Sequence, residues 1–444
     1  MENTIVALAT APLNCAIHII RVSGPKAYII TNKICLNKIK KNGYTIERNK
    51  IVENKQILDD VLLMKFVSPK SFTGEDLIEI NCHGGLYLAK KIISLLIKNG
   101  CVYATPGEFS KRAFLNRKIS IVQAESINNL INSESDMGIK IANNGLNPKA
   151  TEQLKVFVEE LFMMIGQVEV NIDYPEYDDY PVLDEPTLVK KLENILTKLK
   201  NISNESKKLI KFISGINVAI VGKPNVGKSS LLNAFLDEEK AIVSNVSGTT
   251  RDAIEAKASI NGLTINFIDT AGIRNKTRNK IEKLGINKSL QMLEKSDLVL
   301  FLVDGSKPMD EQDKEIFAKI KKLSYILVYN KSDLIKKQKS DGVCICAKQK
   351  QITPLINEIE KKFQTIKTLN YDSVILQSST SIATLDKTIK NLELCLKNLK
   401  DKKHYIEESI ELLKSSYEEI LQIIGDPTEL EFIEKIFSKF CLGK

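Results

Sequence analysis

Residues 222–229 read G-K-P-N-V-G-K-S, a complete G-x-x-x-x-G-K-[ST] phosphate-binding loop. The apolar stretch 216–221 before it predicts a buried strand, and residues 230–235 after it read as the start of a helix. This strand–loop–helix context gives the motif its meaning, because backbone N–H groups and the helix dipole then face a phosphate. We expect Lys228 to reach the β- and γ-phosphates and Ser229 to ligate Mg2+.

Three later segments indicate which nucleotide is bound. D-T-A-G at 269–272 follows a predicted strand at 264–268, and its Asp and Gly suit the Mg2+ shell and a γ-phosphate sensor. N-K-S-D at 330–333 follows a predicted strand at 325–329, and its Asp accepts hydrogen bonds from guanine N1 and the 2-amino group. C-A-K at 346–348, after a short predicted strand, is similar to the S-A-K segment that supports guanine O6. The four elements predict a GTP-binding domain.

The predicted GTP contacts lie in these segments and in the candidate first switch at 244–252. They are Asn225, Val226, Gly227, Lys228, Ser229, Ser230, Ser244, Asn245, Val246, Ser247, Gly248, Thr249, Thr250, Asp269, Thr270, Ala271, Gly272, Asn330, Lys331, Ser332, Asp333, Cys346, Ala347 and Lys348.

The hydrolysis machinery differs from that of small GTPases. Ile273 follows the switch glycine where those proteins often place a water-orienting Gln, and an apolar side chain cannot orient water. Thr250 of the first switch can ligate Mg2+. Asn225 offers a side-chain carbonyl for a monovalent cation, which would replace an arginine finger. The alternative role for Asn225 is a hydrogen bond that stabilises the loop.

Length and composition set broad limits. A chain of 444 residues suggests about three domains. No apolar stretch reaches the ~20 residues that span a bilayer, and the N-terminus is neither a signal nor a transit peptide. The eight cysteines include no C-x-x-C pair, so we expect a reducing, cytoplasmic location. The three dispersed histidines argue against a zinc site.

The net charge of +9 is concentrated at one end of the chain. Residues 1–120 contain 18 Lys and Arg against 9 Asp and Glu, while the remaining charges cancel. A basic first domain attracts polyanions. Codon bias is an equally good explanation, because the chain is rich in Lys, Ile and Asn throughout. Charge alone therefore does not establish RNA binding.

Periodicity divides the chain into four segments. Residues 1–118 combine strand patterns at 5–10, 16–22, 61–67 and 76–82 with one helix at 86–97. Residues 119–213 are helical, with an acidic interruption at 173–181, and helical spacing resumes at 379. Residues 214–367 carry the nucleotide motifs. These patterns predict an α+β multidomain protein in which a helical domain (119–213 and 368–444) is built from both sides of an inserted Ras-like P-loop α/β domain.

With these segments in view, the whole chain resembles one family, the tRNA-modification GTPase MnmE (TrmE, ThdF) family. The most specific match is the terminus I-F-S-K-F-C-L-G-K at 436–444, against the family's I-F-S-x-F-C-[IL]-G-K. Further matches are F-T-G-E-D at 72–76, C-H-G-G at 82–85, P-G-E-F-S-K-R-A-F-L-N at 106–116, I-D-Y-P-E at 172–176 and G-T-T-R-D at 248–252.

The resemblance implies an N-terminal folate-binding-like α/β domain at 1–118 that also forms a homodimer. It further implies work with MnmG, an FAD protein, in a heterotetramer that builds an aminomethyl-type group on C5 of the tRNA wobble uridine, U34. The carbon would come from a tetrahydrofolate derivative, 5,10-methylene or 5-formyl. K+ would promote GTP hydrolysis as the GTPase domains dimerise.

The resemblance also implies roles for single residues. Arg21, Glu79, Lys118 and the region of Lys444 would contact folate. The K+ ligands would be Asn225, Ser244, Val246 and Thr249, and the Mg2+ ligands Ser229 and Thr250. Glu282 would orient the water network, so the catalytic set is Glu282, Lys228 and Thr250. From the residues alone, Glu282 also reads as an exposed helix-start carboxylate, and Cys441 as either a reactive thiol or a buried cap.

The chain departs from the family pattern in two places. A-P-L-N-C at 11–15 replaces P-P-G-x-G, so two glycines are missing near the expected folate region. S-S-T at 378–380 stands where the family often has an Arg-His pair. Two other function classes fit parts of the sequence: a GTP-controlled RNA-binding or ribosome-assembly factor, and a folate-binding structural module with degenerate GTPase activity. Folate binding would distinguish a member of the tRNA-modification family from an RNA-binding or assembly factor. Cation-dependent GTP turnover would distinguish it from a structural module with degenerate GTPase activity.

Overall fold

A computed structural model describes residues 3–41, 43–173, 185–237, 254–268, 296–334, 340–363, 374–401 and 406–425. The chain divides into two compact units. One unit takes residues within 1–128, 151–199 and 383–444, and the other takes residues within 129–150 and 200–382. Within the described residues, no helix combines the length and apolar character required to cross a bilayer.

The first unit is organised around a six-stranded sheet. Its strands are β1 (Ile5–Leu8), β2 (Ile17–Ser23), β3 (Thr45–Glu53), β4 (Gln56–Phe66), β5 (Leu77–His83) and β6 (Val102–Tyr103). Their order is β3-β4-β5-β2-β1-β6, and every neighbouring pair is antiparallel except β1 and β6. Helices α1 (Ala27–Asn32) and α2 (Leu86–Lys98) bury their apolar sides against one face of this sheet.

Within the described residues, six further helices are assigned wholly or partly to the first unit. They are α3 (Glu108–Leu115), α4 (Ile121–Ile131), α6 (Pro148–Asp173), α7 (Glu185–Ser214), α11 (Ser379–Lys400) and α12 (Ile406–Ile424). Buried residues recur every three or four positions along α6 and α11, so each of these helices buries one apolar stripe. Glu419 on α12 accepts hydrogen bonds from Thr388 and Asn391 on α11, which aligns these two helices.

The second unit holds a six-stranded sheet in the order β12-β11-β10-β7-β9-β8. The strands are β7 (Ile216–Val221), β8 (Ile254–Ile260), β9 (Leu263–Ile268), β10 (Leu298–Asp304), β11 (Tyr325–Asn330) and β12 (Val343–Cys344). All neighbours are parallel except β8 and β9. Helices α5 (Asp136–Leu146), α8 (Lys228–Leu236), α9 (Glu311–Ile320) and α10 (Thr353–Phe363) belong to this unit, and α7 (Glu185–Ser214) leads into β7.

Near-continuous apolar runs form the centre of the second sheet. L-V-L-F-L-V of β10 is buried along its whole length, as expected for a parallel strand covered on both faces. One face packs on α8 and α10, and the other packs on α9. The carboxyl ends of β7, β10 and β11 therefore meet at one edge, where α/β folds of this type bind ligands.

The predicted α+β multidomain class with a P-loop α/β domain is confirmed. The strands predicted before the phosphate loop and before N-K-S-D lie within a residue of β7 and β11, and the helix predicted from 379 begins there. The expectation of one helix in residues 1–118 is wrong, since α1 and α3 are present. Both are eight residues or shorter, so neither shows enough turns for a periodic signal.

Candidate nucleotide-binding site

The phosphate-binding loop joins the carboxyl end of β7 to the first turn of α8. Gly222 packs so closely on β10 that an added Cβ would lie 2.2 Å from the carbonyl oxygen of Leu302. Gly227 has φ 101°, and its added Cβ would lie 2.1 Å from Asn330 Nδ2. Asn225 adopts φ 65°, a left-handed conformation that Asn tolerates. Both motif glycines are therefore required by close approach, and Gly227 also by its backbone conformation.

The loop lysine is held by backbone carbonyls of the loop itself. Lys228 Nζ donates to Gly222 O at 2.6 Å and to Lys223 O at 2.7 Å. Burial lowers the pKa of Lys228, because desolvation disfavours its charge. A phosphate at the loop would restore favourable interactions for this ammonium group. Ser229 and Ser230 follow in the first turn of α8, where both are exposed.

Asn330 links the phosphate loop to the C-A-K segment. Its side chain is buried at the end of β11. Asn330 Nδ2 donates to Val226 O at 2.8 Å, and the backbone N–H of Ala347 donates to Asn330 Oδ1 at 3.0 Å. One side-chain amide thus sets the spacing between the phosphate end and the base end of the site.

The base end brings the predicted guanine reader next to its cysteine neighbour. Cys346 Sγ donates to Asp333 Oδ1 at 3.2 Å. The backbone N–H of Ser332 donates to Ile345 O, which pins the short 3-10 turn carrying Asp333. Lys348 lies exposed in the matching turn after Cys346. This arrangement leaves a carboxylate edge that can accept two hydrogen bonds from guanine.

Lys331 forms an ion pair with a residue outside the sequence motifs. Lys331 Nζ lies 2.6 Å from Asp304 Oδ2 at the carboxyl end of β10. Burial raises the pKa of Asp304, but hydrogen bonds from Lys331 and Ser306 outweigh it and hold that pKa at about 2. The only sequence signal for Asp304 is its place at the end of a buried apolar run.

The predicted GTP contacts fall into two groups. The residues of 225–230, 330–333 and 346–348 lie on the described loops, where Asn330 connects Val226 to Ala347. The remaining predicted contacts lie outside the described residues, as does the predicted catalytic Glu282. These contacts are Ser244, Asn245, Val246, Ser247, Gly248, Thr249, Thr250, Asp269, Thr270, Ala271 and Gly272. Lys444 and Cys441 lie outside the described residues as well.

A second polar centre lies on the sheet of the first unit. Arg21 on β2 and Glu79 on β5 are register partners, and Arg21 Nε and Nη2 both lie 2.8 Å from Glu79 Oε1. The guanidinium lies 5.8 Å from the ring centre of Phe72 and 5.6 Å from that of Phe109. Lys118 is exposed and contacts the turn at Gly74. Three of the predicted folate residues are thus described: Arg21 and Glu79 lie on neighbouring strands, and Lys118 lies beside the F-T-G-E-D segment.

A buried network that sequence reasoning missed fixes that segment. Arg112 Nη1 donates to both carboxylate oxygens of Glu75 at 3.1 Å, and Nη2 donates to Glu108 at 2.8 Å. Ser23 donates to Glu75 at 2.8 Å and lies 2.7 Å from Thr73 Oγ1. The signal for it is present in the sequence, since Glu75, Glu108 and Arg112 all lie in the motifs that carry the family resemblance.

The loop that lacks the family's glycines has its own means of support. Asn14 Oδ1 accepts from the backbone N–H of Leu86, which caps the first turn of α2. Cys15 N donates to Gly84 O at 3.0 Å. A Cβ at Gly84 would lie 2.0 Å from Cys15 O, so the close approach of the two backbones requires glycine at position 84.

Comparisons with known proteins cover the whole chain. The family model for the GTP-binding protein TrmE N-terminus matches residues 4–118, and that for the MnmE helical domain matches residues 121–441. A tRNA modification GTPase MnmE from Ureaplasma parvum serovar 3 (strain ATCC 700970) is 45% identical over 100% of both chains. The one from Mycoplasma genitalium is 42% identical over 100% of this chain and 99% of its own. A crystal structure of an Aquifex aeolicus Era variant has 28% identity, covering 40% of this chain and 67% of its own, with a TM-score of 0.26.

The sheet, the glycine loop and the N-K-S-D segment define a guanine-nucleotide-binding P-loop protein. The MnmE relatives align with this chain over nearly their whole length, and the two family models together match almost all of its residues. The chain belongs to the MnmE family of tRNA modification GTPases, and it is a GTPase.

Proposed function

We propose that this protein is the GTP-hydrolysing subunit of the system that modifies C5 of the wobble uridine U34 in tRNA. Together with MnmG it forms the (carboxymethyl)aminomethyl group, with a methylene-tetrahydrofolate as carbon donor. One observation carries the proposal: a chain that matches its MnmE relatives over its whole length joins its phosphate loop to N-K-S-D through Asn330 and pairs Arg21 with Glu79.

The proposed Mg2+ ligands on this chain are Ser229 and Thr250. Ser229 stands in the first turn of α8 directly after Lys228, and a hydroxyl oxygen is the kind of donor that Mg2+ prefers. Mg2+ supplies charge neutralisation of the β- and γ-phosphates when bound. Lys228, oriented by Gly222 O and Lys223 O, then adds its own charge to the phosphate groups.

The Arg21–Glu79 centre fits a folate. Glu79 can accept from the guanine-like donor edge of a pterin, and Arg21 or Lys118 can pair with the folate glutamate. The side chains of Arg21 and Glu79 are 17% and 15% exposed, so a ligand can reach them without unfolding the sheet. Phe72 and Phe109 flank the guanidinium, and Phe72, which is only partly buried, offers apolar surface to a flat ring. The folate supplies the one-carbon unit.

We propose a K+ site at Asn225 with backbone groups of Ser244, Val246 and Thr249, and a water-orienting role for Glu282. Support on the described chain comes from Asn225, whose left-handed backbone and exposed side chain leave its amide carbonyl accessible at the loop tip. A cation there neutralises transition-state charge, as an arginine finger does elsewhere. Glu282 would fill the separate gap that Ile273 leaves in orienting water.

The proposed partners are tRNA, MnmG in a heterotetramer, and a second copy of the chain held through the N-terminal domain. Ile17, Ile46 and Leu62 are each at least half exposed on the sheet of the first unit, which supports a protein contact there. We propose a cytoplasmic location and the division into domains 1–118, 119–213, 214–367 and 368–444.

The cation site is tested by GTP turnover in matched KCl and NaCl at equal ionic strength. Stimulation by K+ that Asn225→Ala abolishes supports the proposal, provided that the variant still binds GDP. Equal rates in both salts contradict the K+ site. Glu282→Ala is expected to bind GTP normally and to hydrolyse it slowly.

The modification itself is tested by incubating unmodified tRNA with the protein, MnmG, GTP and a methylene-tetrahydrofolate, followed by mass spectrometry of the nucleosides. A modified uridine that requires all components supports the proposal. Tight RNA binding without folate binding or nucleoside modification supports instead the alternative, a GTP-controlled RNA-binding or ribosome-assembly factor. Glu79→Gln separates the two outcomes, because only a folate-dependent reaction should fail.

A further inference from the structure

Lys223, a variable position of the phosphate-loop motif, is held by two carboxylates from another element. Its Nζ lies 2.5 Å from Asp310 Oδ2 and 2.8 Å from Asp313 Oδ2. The Lys223 side chain is 20% exposed and that of Asp313 is 4% exposed. Charge-assisted hydrogen bonds of this kind are the stronger class in proteins, particularly away from bulk water.

The two carboxylates are themselves fixed. Asp310 is the N-cap of α9, and its Oδ1 accepts from the backbone N–H of Asp313 at 3.1 Å. Asp313 Oδ2 accepts in return from the backbone N–H of Asp310 at 3.2 Å. This reciprocal capping box fixes the start of α9, whose Ile320 is buried against the second sheet. Lys223 is therefore attached to a rigid anchor.

The backbone of Lys223 touches the group that meets the phosphates. Lys223 O accepts from Lys228 Nζ at 2.7 Å, beside the bond from the same Nζ to Gly222 O. The orientation of the Lys228 ammonium thus depends on where the carbonyl of Lys223 points. The capping box of α9 therefore fixes the Lys223 side chain, and the Lys223 carbonyl in turn holds Lys228.

We propose that Lys223 is a positioning residue for the GTPase reaction, which locks the phosphate loop to the capping box of α9 and so orients Lys228 toward the β- and γ-phosphates. The segment 304–313 then braces both ends of the nucleotide, because Asp304 at its other end pairs with Lys331 of the base reader. We call the two ion pairs of Lys223 with Asp310 and Asp313 the brace. Hydrogen bonds to these carboxylates raise the pKa of Lys223, which favours its charged form.

The test is a double-mutant cycle on the full-length protein with Lys223→Met, Asp310→Asn and the pair combined. We expect Lys223→Met to raise both KM for GTP and Kd for a fluorescent GDP by about tenfold, since both nucleotides carry the β-phosphate. The double variant should be no weaker than Lys223→Met alone, because both changes remove the same interaction. Lys223→Arg should restore most of the affinity.

Lys307→Ala is the matched control, since it removes an exposed lysine from the same segment without touching the brace. Wild-type KM and Kd in Lys223→Met would overturn the proposal, and so would losses that multiply in the double variant. Thermal unfolding of each variant separates positioning from folding. If Lys223→Met does not fold, the combined variant Asp310→Asn and Asp313→Asn decides, because it removes both charges opposite Lys223 while the amide oxygens can still accept the hydrogen bonds of the capping box. Unchanged affinity in that variant counts against the proposal.

Discussion

Cys346 Sγ lies 3.2 Å from Asp333 Oδ1, so the residue that replaces the serine of an S-A-K segment directly contacts the carboxylate predicted to read guanine. Cys346 is buried, and its thiol is a longer and weaker donor than a hydroxyl. The side chain therefore helps to orient Asp333 while leaving its other oxygen for the base.

Replacing that thiol should change nucleotide affinity in a predictable direction. We expect Cys346→Ser to tighten binding of a fluorescent GDP by about threefold and Cys346→Ala to weaken it by a similar factor, since a net hydrogen bond is worth about 1 kcal/mol. Fluorescence titration measures both. Cys344→Ser, two residues earlier at the end of β12, should bind like wild type. Equal affinities for all three variants would show that the thiol does not influence Asp333.

Gly227 makes the phosphate loop intolerant of a side chain. At φ 101°, and with an added Cβ 2.1 Å from Asn330 Nδ2, Gly227→Ala must shift either the loop or the amide that joins it to Ala347. We expect GDP affinity to fall by at least about tenfold, because backbone strain costs on the order of 1–3 kcal/mol.

Gly262→Ala is the control for that substitution. Gly262 lies in the turn between β8 and β9 and also has a positive φ, 82°. A Cβ added there would meet Asp136 at the ordinary contact distance of 3.6 Å. This variant should lose stability without losing GDP affinity. Equal losses of affinity in the two alanine variants would mean that general strain, not the loop geometry, governs binding.

The buried network of the first unit should dominate its stability. Arg112 is 2% exposed and joins Glu75 to Glu108. Arg112→Met strands these carboxylates, so we expect a loss of about 3–5 kcal/mol in the free energy of unfolding, measured by urea denaturation. Arg48→Met removes the partner of Asp60 from an ion pair in which Arg48 is 77% exposed, and its cost should be much smaller because solvent screens the pair. Similar costs would contradict a structural role for the network.

The nucleotide loops could be predicted from sequence because each motif follows a buried strand in a fixed order. The glycines, Asn330 and Asp333 are needed wherever this chemistry is built, so pattern and geometry agree. Lys223, Asp304 and Asp310 could not be predicted, because their role depends on which elements meet in space. The edge strand β3 was missed for a related reason. In its T-I-E-R-N-K-I-V-E sequence the apolar Ile46 is exposed and the polar Asn49 is buried, so hydrophobicity does not follow the alternation of burial.

The Asp304–Lys331 pair makes stability depend on pH in a defined window. Asp304 titrates near 3.8 ordinarily, and although burial raises its pKa, hydrogen bonds from Lys331 and Ser306 lower it to about 2 in the folded chain. The folded state therefore binds this proton less readily than the unfolded state. Its stabilising contribution is complete above about pH 4 and is lost as the pH falls through about 2.

Asp304→Asn tests this contribution, because the amide keeps an acceptor for Ser306 and Lys331 but removes the charge. The Asp304 side chain is 18% exposed, so solvent screens the pair only in part. We expect the variant to unfold with a free energy lower by up to about 2 kcal/mol at pH 6, and the gap to narrow as the pH approaches 3. Urea denaturation of both proteins across that range measures it. An ion pair weakens when its carboxylate becomes protonated. If the difference in unfolding free energy between the two proteins stayed constant with pH, the loss of stability in Asp304→Asn would therefore come from altered hydrogen-bond geometry.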